Sequence, residues 1–218
     1  MSDLHLVIAN KNYSSWSMRP WLVMTNAGLS FRETMVLLDQ PDTAQKIREH
    51  SRAGRVPVLH HGDITVWESL AIIEYVAETF PEARIWPQAP KARAVARSIS
   101  SEMHAGFSAL RRACPMNLRR PRKAVPMDDA AKADVVAVQN LWRTCRKEFG
   151  QGGPFLFGEF SGADAMFAPV VTRFDTYDIA VDGDTREYMQ AVRGLPAFQA
   201  WHDAGIAEVW RVPSDETD

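Results

Sequence analysis

Asn10-Lys11-Asn12-Tyr13-Ser14-Ser15-Trp16-Ser17-Met18-Arg19-Pro20 is the stretch on which the fold turns. It separates an apolar run, Leu4 to Ala9, whose composition predicts a buried strand, from Trp21-Leu22-Val23-Met24, which predicts a helix. A hydroxyl-rich turn between a strand and a helix gathers unpaired backbone N–H groups at the positive end of the helix dipole. Such a turn favours an anion, and a serine adds a further donor. Two helix starts stay open. Pro20 fits best in a first turn, which makes Ser17 the cap; a start at Ser15 costs one backbone hydrogen bond at Pro20.

Working outward, Leu4, Leu6 and Ile8 alternate with residues that are themselves largely apolar, as expected of a central strand covered on both faces. Gly28 supplies a left-handed helix stop, and Phe31 to Leu38 predicts a second strand. Asp39-Gln40-Pro41-Asp42 breaks the chain before a short polar helix, Thr43 to His50. Val56 to His60 and Ile64 to Trp67 flank His61-Gly62-Asp63 as a hairpin, with Pro57 at a strand start where no N–H is needed. Leu70, Ile73, Val76, Ala77 and Phe80 then recur at helical spacing.

Phe80 to Pro90 carries Pro81, Pro87 and Pro90 and reads as a linker, beyond which the period changes to 3.6. Val95, Ile99, Met103, Phe107, Leu110 and Cys114 predict one long amphipathic helix, ended or kinked near Pro115. Asp128-Asp129 opens a second helix reaching Phe149, with Arg146-Lys147 at its negative end. Ser161-Gly162-Ala163-Asp164 has capping-box spacing and starts a helix through Tyr177; shorter helical pieces follow around Tyr188 and Phe198 to Asp203.

The chain has 218 residues, 46% apolar and 24% charged, the composition of a soluble globular protein. A net charge of −2 gives no overall pull toward nucleic acid or an anionic membrane. No targeting signal or membrane-spanning run is evident. Cys114 and Cys145 lie far apart and fit no metal spacing, and His104 has no ligand partner at metal spacing, so a reduced cytoplasmic protein without metal is the expectation.

This order of elements, together with Tyr13-Ser14-Ser15-Trp16, Arg55-Val56-Pro57-Val58-Leu59, Glu68-Ser69-Leu70-Ala71-Ile72 and Ser161-Gly162-Ala163-Asp164, resembles the cytosolic glutathione S-transferases, in particular serine-type and zeta-like bacterial members. The motifs span nearly the whole chain in the family's order. The resemblance implies an α+β fold: a thioredoxin-like βαβαββα domain at residues 1–80, a linker at 81–90 and an all-helical domain at 91–218. At the opening turn the family's Ser-Ser-Cys is replaced by Ser14-Ser15-Trp16, which removes the cysteine of zeta-type isomerase chemistry.

By the same resemblance, the Ser14 hydroxyl bonds the glutathione sulfur and favours its thiolate, which a free thiol of pKa about 8.5 does not form readily at neutral pH. Ser15 takes that role if the turn is shifted by one residue, and Tyr13 is a more remote candidate. Val56-Pro57 becomes a cis-proline turn offering the Val56 backbone to the glutathione cysteinyl unit. Glu68 and Ser69 hold the γ-glutamyl ammonium and carboxylate at a helix start. Met103, His104, Phe107, Leu110 and Arg111, with Asn117, line the second-substrate pocket. Each has a plain structural alternative: helix caps for the serines and core stripe for Met103 and Phe107. Arg111, Arg112, Arg119, Arg120, Arg122 and Lys123 form a cationic cluster, either a solvated face or an attractor of acidic substrates.

The expected function is conjugation of reduced glutathione, as co-substrate, to small hydrophobic electrophiles by a homodimeric cytoplasmic enzyme that has no nucleic-acid or membrane partner. Alternatives are a glutathione-dependent isomerase or peroxidase, or a non-catalytic binding or scaffold protein of the same fold.

Overall fold

The computed structural model describes residues 3–216. Strand β1 (Leu4–Ala9) is followed by α1 (Ser15–Asn26), β2 (Arg32–Val36), α2 (Thr43–His50), β3 (Val58–His61), β4 (Ile64–Trp67) and α3 (Ser69–Thr79). The sheet order is β2-β1-β3-β4, with β2 parallel to β1 and both β3 and β4 antiparallel to their neighbours. This is a thioredoxin-like fold. Every residue of β1 is buried, because the strand is central and both of its faces are covered. Leu4, Leu6 and Ile8 enter the main core with Met18 and Leu22 of α1 and Ile72, Ile73 and Val76 of α3. Val7 faces the other way, joining Val36, Val58 and Ile47 in a small core under α2.

A 3₁₀ turn (Pro81–Ala83) leads to the helical half: α4 (Pro90–Ala105), α5 (Ser108–Ala113), α6 (Asp129–Phe149), α7 (Gly162–Thr176), α8 (Gly183–Arg193) and α9 (Pro196–Ala207). Helix α7 is buried from Gly162 through Phe174 and packs against both α1 and α4. The same core therefore runs through both halves of the chain. The start of α7 is held by the expected box: Asp164 accepts from the Ser161 N–H (2.8 Å) and hydroxyl (2.9 Å), and from Leu156 N–H (3.1 Å). Burial pushes its carboxyl up to about 6, against the pull of those donors.

The expected single helix from Val95 to Cys114 is instead two. Gly106 is extended and Phe107 sits in the left-handed region at φ 53°, so the chain turns between α4 and α5. Both helices face one core, and the apolar stripe continues across the break, which hides it from periodicity. Gly106 was the available stop signal. The hairpin strand also starts later than expected, at Val58, leaving Val56 and the cis-bonded Pro57 outside the ladder.

Candidate active site

Helix α1 begins at Ser15, and Ser14 is its cap: the Ser14 oxygen accepts from Ser17 N–H at 3.3 Å. Pro20 therefore lies inside the helix and leaves the Trp16 carbonyl without its usual donor. The Ser14 hydroxyl donates to Ser17 Oγ at 2.8 Å, and Ser17 Oγ also accepts from Ala9 N–H at 3.1 Å. Ser15 is 7% exposed, and its hydroxyl has no protein partner among the described residues.

Two cavities meet at this turn. One, of about 440 Å³, is lined by Tyr13, Ser14, Ser15, Trp16, Arg111, Arg173 and Asp215, with Leu38, Ile47 and Met116 as apolar wall. The other, of about 340 Å³, is lined by Trp16, Arg55, Val56, Pro57, Glu68 and His104. Trp16, Arg55 and Val56 belong to both, so the pair forms one bent cleft. The Val56 backbone makes no backbone hydrogen bond among the described residues, leaving both its groups for a ligand.

Glu68 precedes α3 at φ 70°, a conformation uncommon for a non-glycine residue, which is maintained by the packed helix after it. Its carboxylate stands 3.9 Å from Arg55 and 3.6 Å from His104 Nε2. Burial lowers the His104 pKa; Glu68 opposes that shift, and Arg19 and Arg111 add to it. Ser69 is 1% exposed at the first position of α3, and its buried hydroxyl has no hydrogen-bond partner among the described residues.

Trp16 divides the cleft. Its ring lies 4.2 Å from the Arg19 guanidinium carbon, 5.3 Å from that of Arg111 and 5.1 Å from the His104 ring. Arg19 is fully buried, donates to the Met166 carbonyl at 3.0 Å and has no hydrogen-bond partner on its two terminal nitrogens among the described residues. The indole face thus takes the place of a carboxylate opposite a buried cation. Burial, with Arg173 and Arg111 nearby, holds the Arg19 pKa below the usual guanidinium value.

Of the residues expected to line the second-substrate pocket, Arg111 and His104 reach the cleft, one on each side of Trp16. Met103, Phe107 and Leu110 do not. They are buried in the main core, where α4 packs on α7 and α5 on α6, and a side chain turned into that core does not face the cleft. Asn117 is 2% exposed and accepts from Asn12 Nδ2 at 3.0 Å, bracing the turn from behind. The cationic cluster disperses: Arg119 ties down the segment after α9, Arg122 pairs with Asp178 and only Arg111 lines the cleft. Arg173 and Asp215 carry no local motif and come to the site through packing, whereas Ser17, a cap candidate in the sequence, joins it by its bond with Ser14. Burial pushes the thiols of Cys114 and Cys145 to about 11 and about 12, which leaves both as inert core groups.

Residues 13–79 match the family model of the glutathione S-transferase N-terminal domain, and residues 128–204 match that of the C-terminal domain. The chain belongs to the glutathione S-transferase family, and as an enzyme it is a glutathione transferase. It is 28% identical over 192 residues to a probable maleylacetoacetate isomerase of Caenorhabditis elegans, covering 86% of this chain and 87% of that protein. It is 25% identical over 202 residues to glutathione S-transferase Z2 of Arabidopsis thaliana, covering 87% and 88%. Among solved structures, a glutathione transferase homolog from Burkholderia gl BGR1 with bound glutathione superposes with a TM-score of 0.72 at 23% identity, over 93% of this chain and 98% of that one.

Proposed function

We propose that reduced glutathione lies along the strip from Glu68 and Ser69, past Val56 and Pro57, to Ser14, and that its thiolate attacks a small electrophile held beside Arg111 and Arg173. The observation that carries this reading is the single bent cleft, which brings a helix-start serine pair to one arm and Glu68 with the cis-proline turn to the other. A thiol at the Ser14 end meets the N-terminus of α1 and a hydroxyl with a relay behind it. Ser14 can turn its proton to sulfur while Ser17, fixed by Ala9 N–H, donates to Ser14 in turn. Each donor then has an acceptor, and the charge on sulfur is stabilised without a base. In this role Ser14 is a donor and not a nucleophile, with Ser15 as the neighbouring second hydroxyl.

The electrophile wall combines apolar Leu38, Ile47 and Met116 with the cations Arg111 and Arg173. An electrophile that carries a carboxylate suits this lining better than a purely hydrophobic one. That lining, with the maleylacetoacetate isomerase relatives, favours as a second reading a glutathione-dependent isomerisation of an unsaturated acid. The deciding experiment incubates the enzyme with glutathione and, separately, 1-chloro-2,4-dinitrobenzene and a cis-unsaturated dicarboxylate. Conjugation consumes glutathione stoichiometrically, isomerisation leaves it unchanged, and no calorimetric binding of glutathione would point to a non-catalytic scaffold. We also take residues 1–80 as the glutathione-binding domain, 81–90 as linker and 91–218 as the helical domain of a cytoplasmic homodimer, which sedimentation and localisation would test.

A further inference from the structure

The chain after α9 returns to the site. Glu208, 8% exposed, accepts from the backbone N–H of Lys11 (2.6 Å) and Asn12 (3.3 Å) and from the Asn10 side chain (3.4 Å). Arg119 donates to the carbonyls of Glu208 and Trp210 and to the Tyr13 hydroxyl (2.7 Å), and Tyr13 donates to the Glu216 carboxylate. Between these two anchors Val212 is buried, 4% exposed, and a 3₁₀ turn (Pro213–Asp215) sets Asp215 in the wall of the cavity that holds Ser14, Arg111 and Arg173. Residues 208–216 are thus a strap tied to the turn that carries Ser14, with one carboxylate delivered into a cavity whose other charged walls are Arg55, Arg111 and Arg173. Burial raises the Asp215 pKa, Arg173 opposes the rise, and Asp39 and Glu216 add to it.

We propose that Asp215 is a specificity-determining residue: it acts as a resident acid that occupies the Arg111 and Arg173 field and competes with the carboxylate of an incoming co-substrate. This rests on the reading of that cavity as the electrophile site. An incoming dianion must either displace the strap or approach against its charge, whereas a neutral electrophile meets no such competitor. The strap therefore sets the balance between acidic and neutral co-substrates, and the ties at Glu208 and Glu216 set how firmly the competitor is held.

The test is calorimetric titration of the full chain, saturated with glutathione, with succinate and with its neutral dimethyl ester. Asp215→Asn removes the charge at a partly exposed position and keeps the shape. It should tighten succinate about tenfold, the scale of one charge pair in a partly solvated site, and leave the diester unchanged. Unchanged or weaker succinate binding would overturn the proposal, as would equal gains for acid and diester, which would mean that space and not charge was released. Failure of succinate to bind Asp215→Asn at all would also overturn it. Arg111→Gln separates the two levels. Succinate binding that depends on Arg111 but not on Asp215 removes this inference alone, while binding insensitive to both removes the electrophile reading with it.

Discussion

Ser14→Ala removes one oxygen that performs two separable jobs. In the structure that oxygen caps α1, accepting from Ser17 N–H at 3.3 Å. Loss of such a cap costs about 1 kcal/mol, which for a chain of this size lowers Tm by about 2–4 °C. In the proposed complex the same hydroxyl donates to a thiolate. A hydrogen bond to a charged group contributes about 1.5–3 kcal/mol, so its removal raises the pKa of bound glutathione by about 1–2 units at 1.36 kcal/mol per unit. Below both pKa values the thiolate fraction, and turnover with it, falls by about 10–100-fold. The dissociation constant for protonated glutathione should change little, because in the proposed complex the peptide arms lie on Val56, Glu68 and Ser69. The assay is a pH titration of thiolate ultraviolet absorbance in the enzyme complex, run beside kcat against pH and a thermal melt. A melt shifted by a few degrees with an unchanged thiol pKa would refute the chemical role and leave Ser14 as a cap alone. If Ser15→Ala raises the pKa instead, the free, cavity-lining hydroxyl of Ser15 is the donor.

Glu68→Ala should weaken glutathione binding by about tenfold with the thiol pKa unchanged, since in the proposed complex the carboxylate meets the ammonium and not the sulfur; calorimetry checks the first and absorbance the second. Gly205→Ala should destabilise the protein by about 1–3 kcal/mol, because a Cβ there would lie 2.7 Å from Leu118 and 3.2 Å from the Asn12 nitrogen, wedging α9 off the turn before α1; a denaturant melt and glutathione affinity measure both effects. Asp164, with its carboxyl raised to about 6, favours folding most when protonated, so its contribution is complete below the unfolded value of 3.8 and is lost as pH rises through 6. The wild type should therefore lose about 2–3 kcal/mol from this group between about pH 4 and pH 7, and Asp164→Asn should lack that slope in denaturant titrations at the two pH values.

Local reading succeeded where a residue's role is set by its sequence neighbours. The Ser161 and Asp164 box needs only a spacing of three, and Gly62 needs only a tight turn between two apolar runs. Reading failed where two partners compete for one face. The stripe through Met103, Phe107 and Leu110 has the same period whether it packs in the core or lines a pocket, and the observed burial chose the core. The start of α1 was likewise ambiguous between Ser14 and Ser17, because Pro20 argues for one and the turn for the other. The bond from Ala9 N–H to Ser17 Oγ ties Ser17 to the strand end, and Ser14 takes the cap.

By itself the sequence determined most of the order of elements, because strand composition, helical period and caps are short-range properties, while the resemblance carried by the motifs at Ser14, Pro57, Glu68 and Ser69 implied the two-part architecture. Only the tertiary structure decided what faces the Ser14 turn. Arg173 reaches it from the last turn of a buried helix, and Asp215 from a strap tied to residues 10–12 by Glu208, some two hundred positions away. Their meeting depends on the packing of α7 on α1 and of the segment after α9 on the turn. No local spacing encodes a contact between side chains so far apart along the chain.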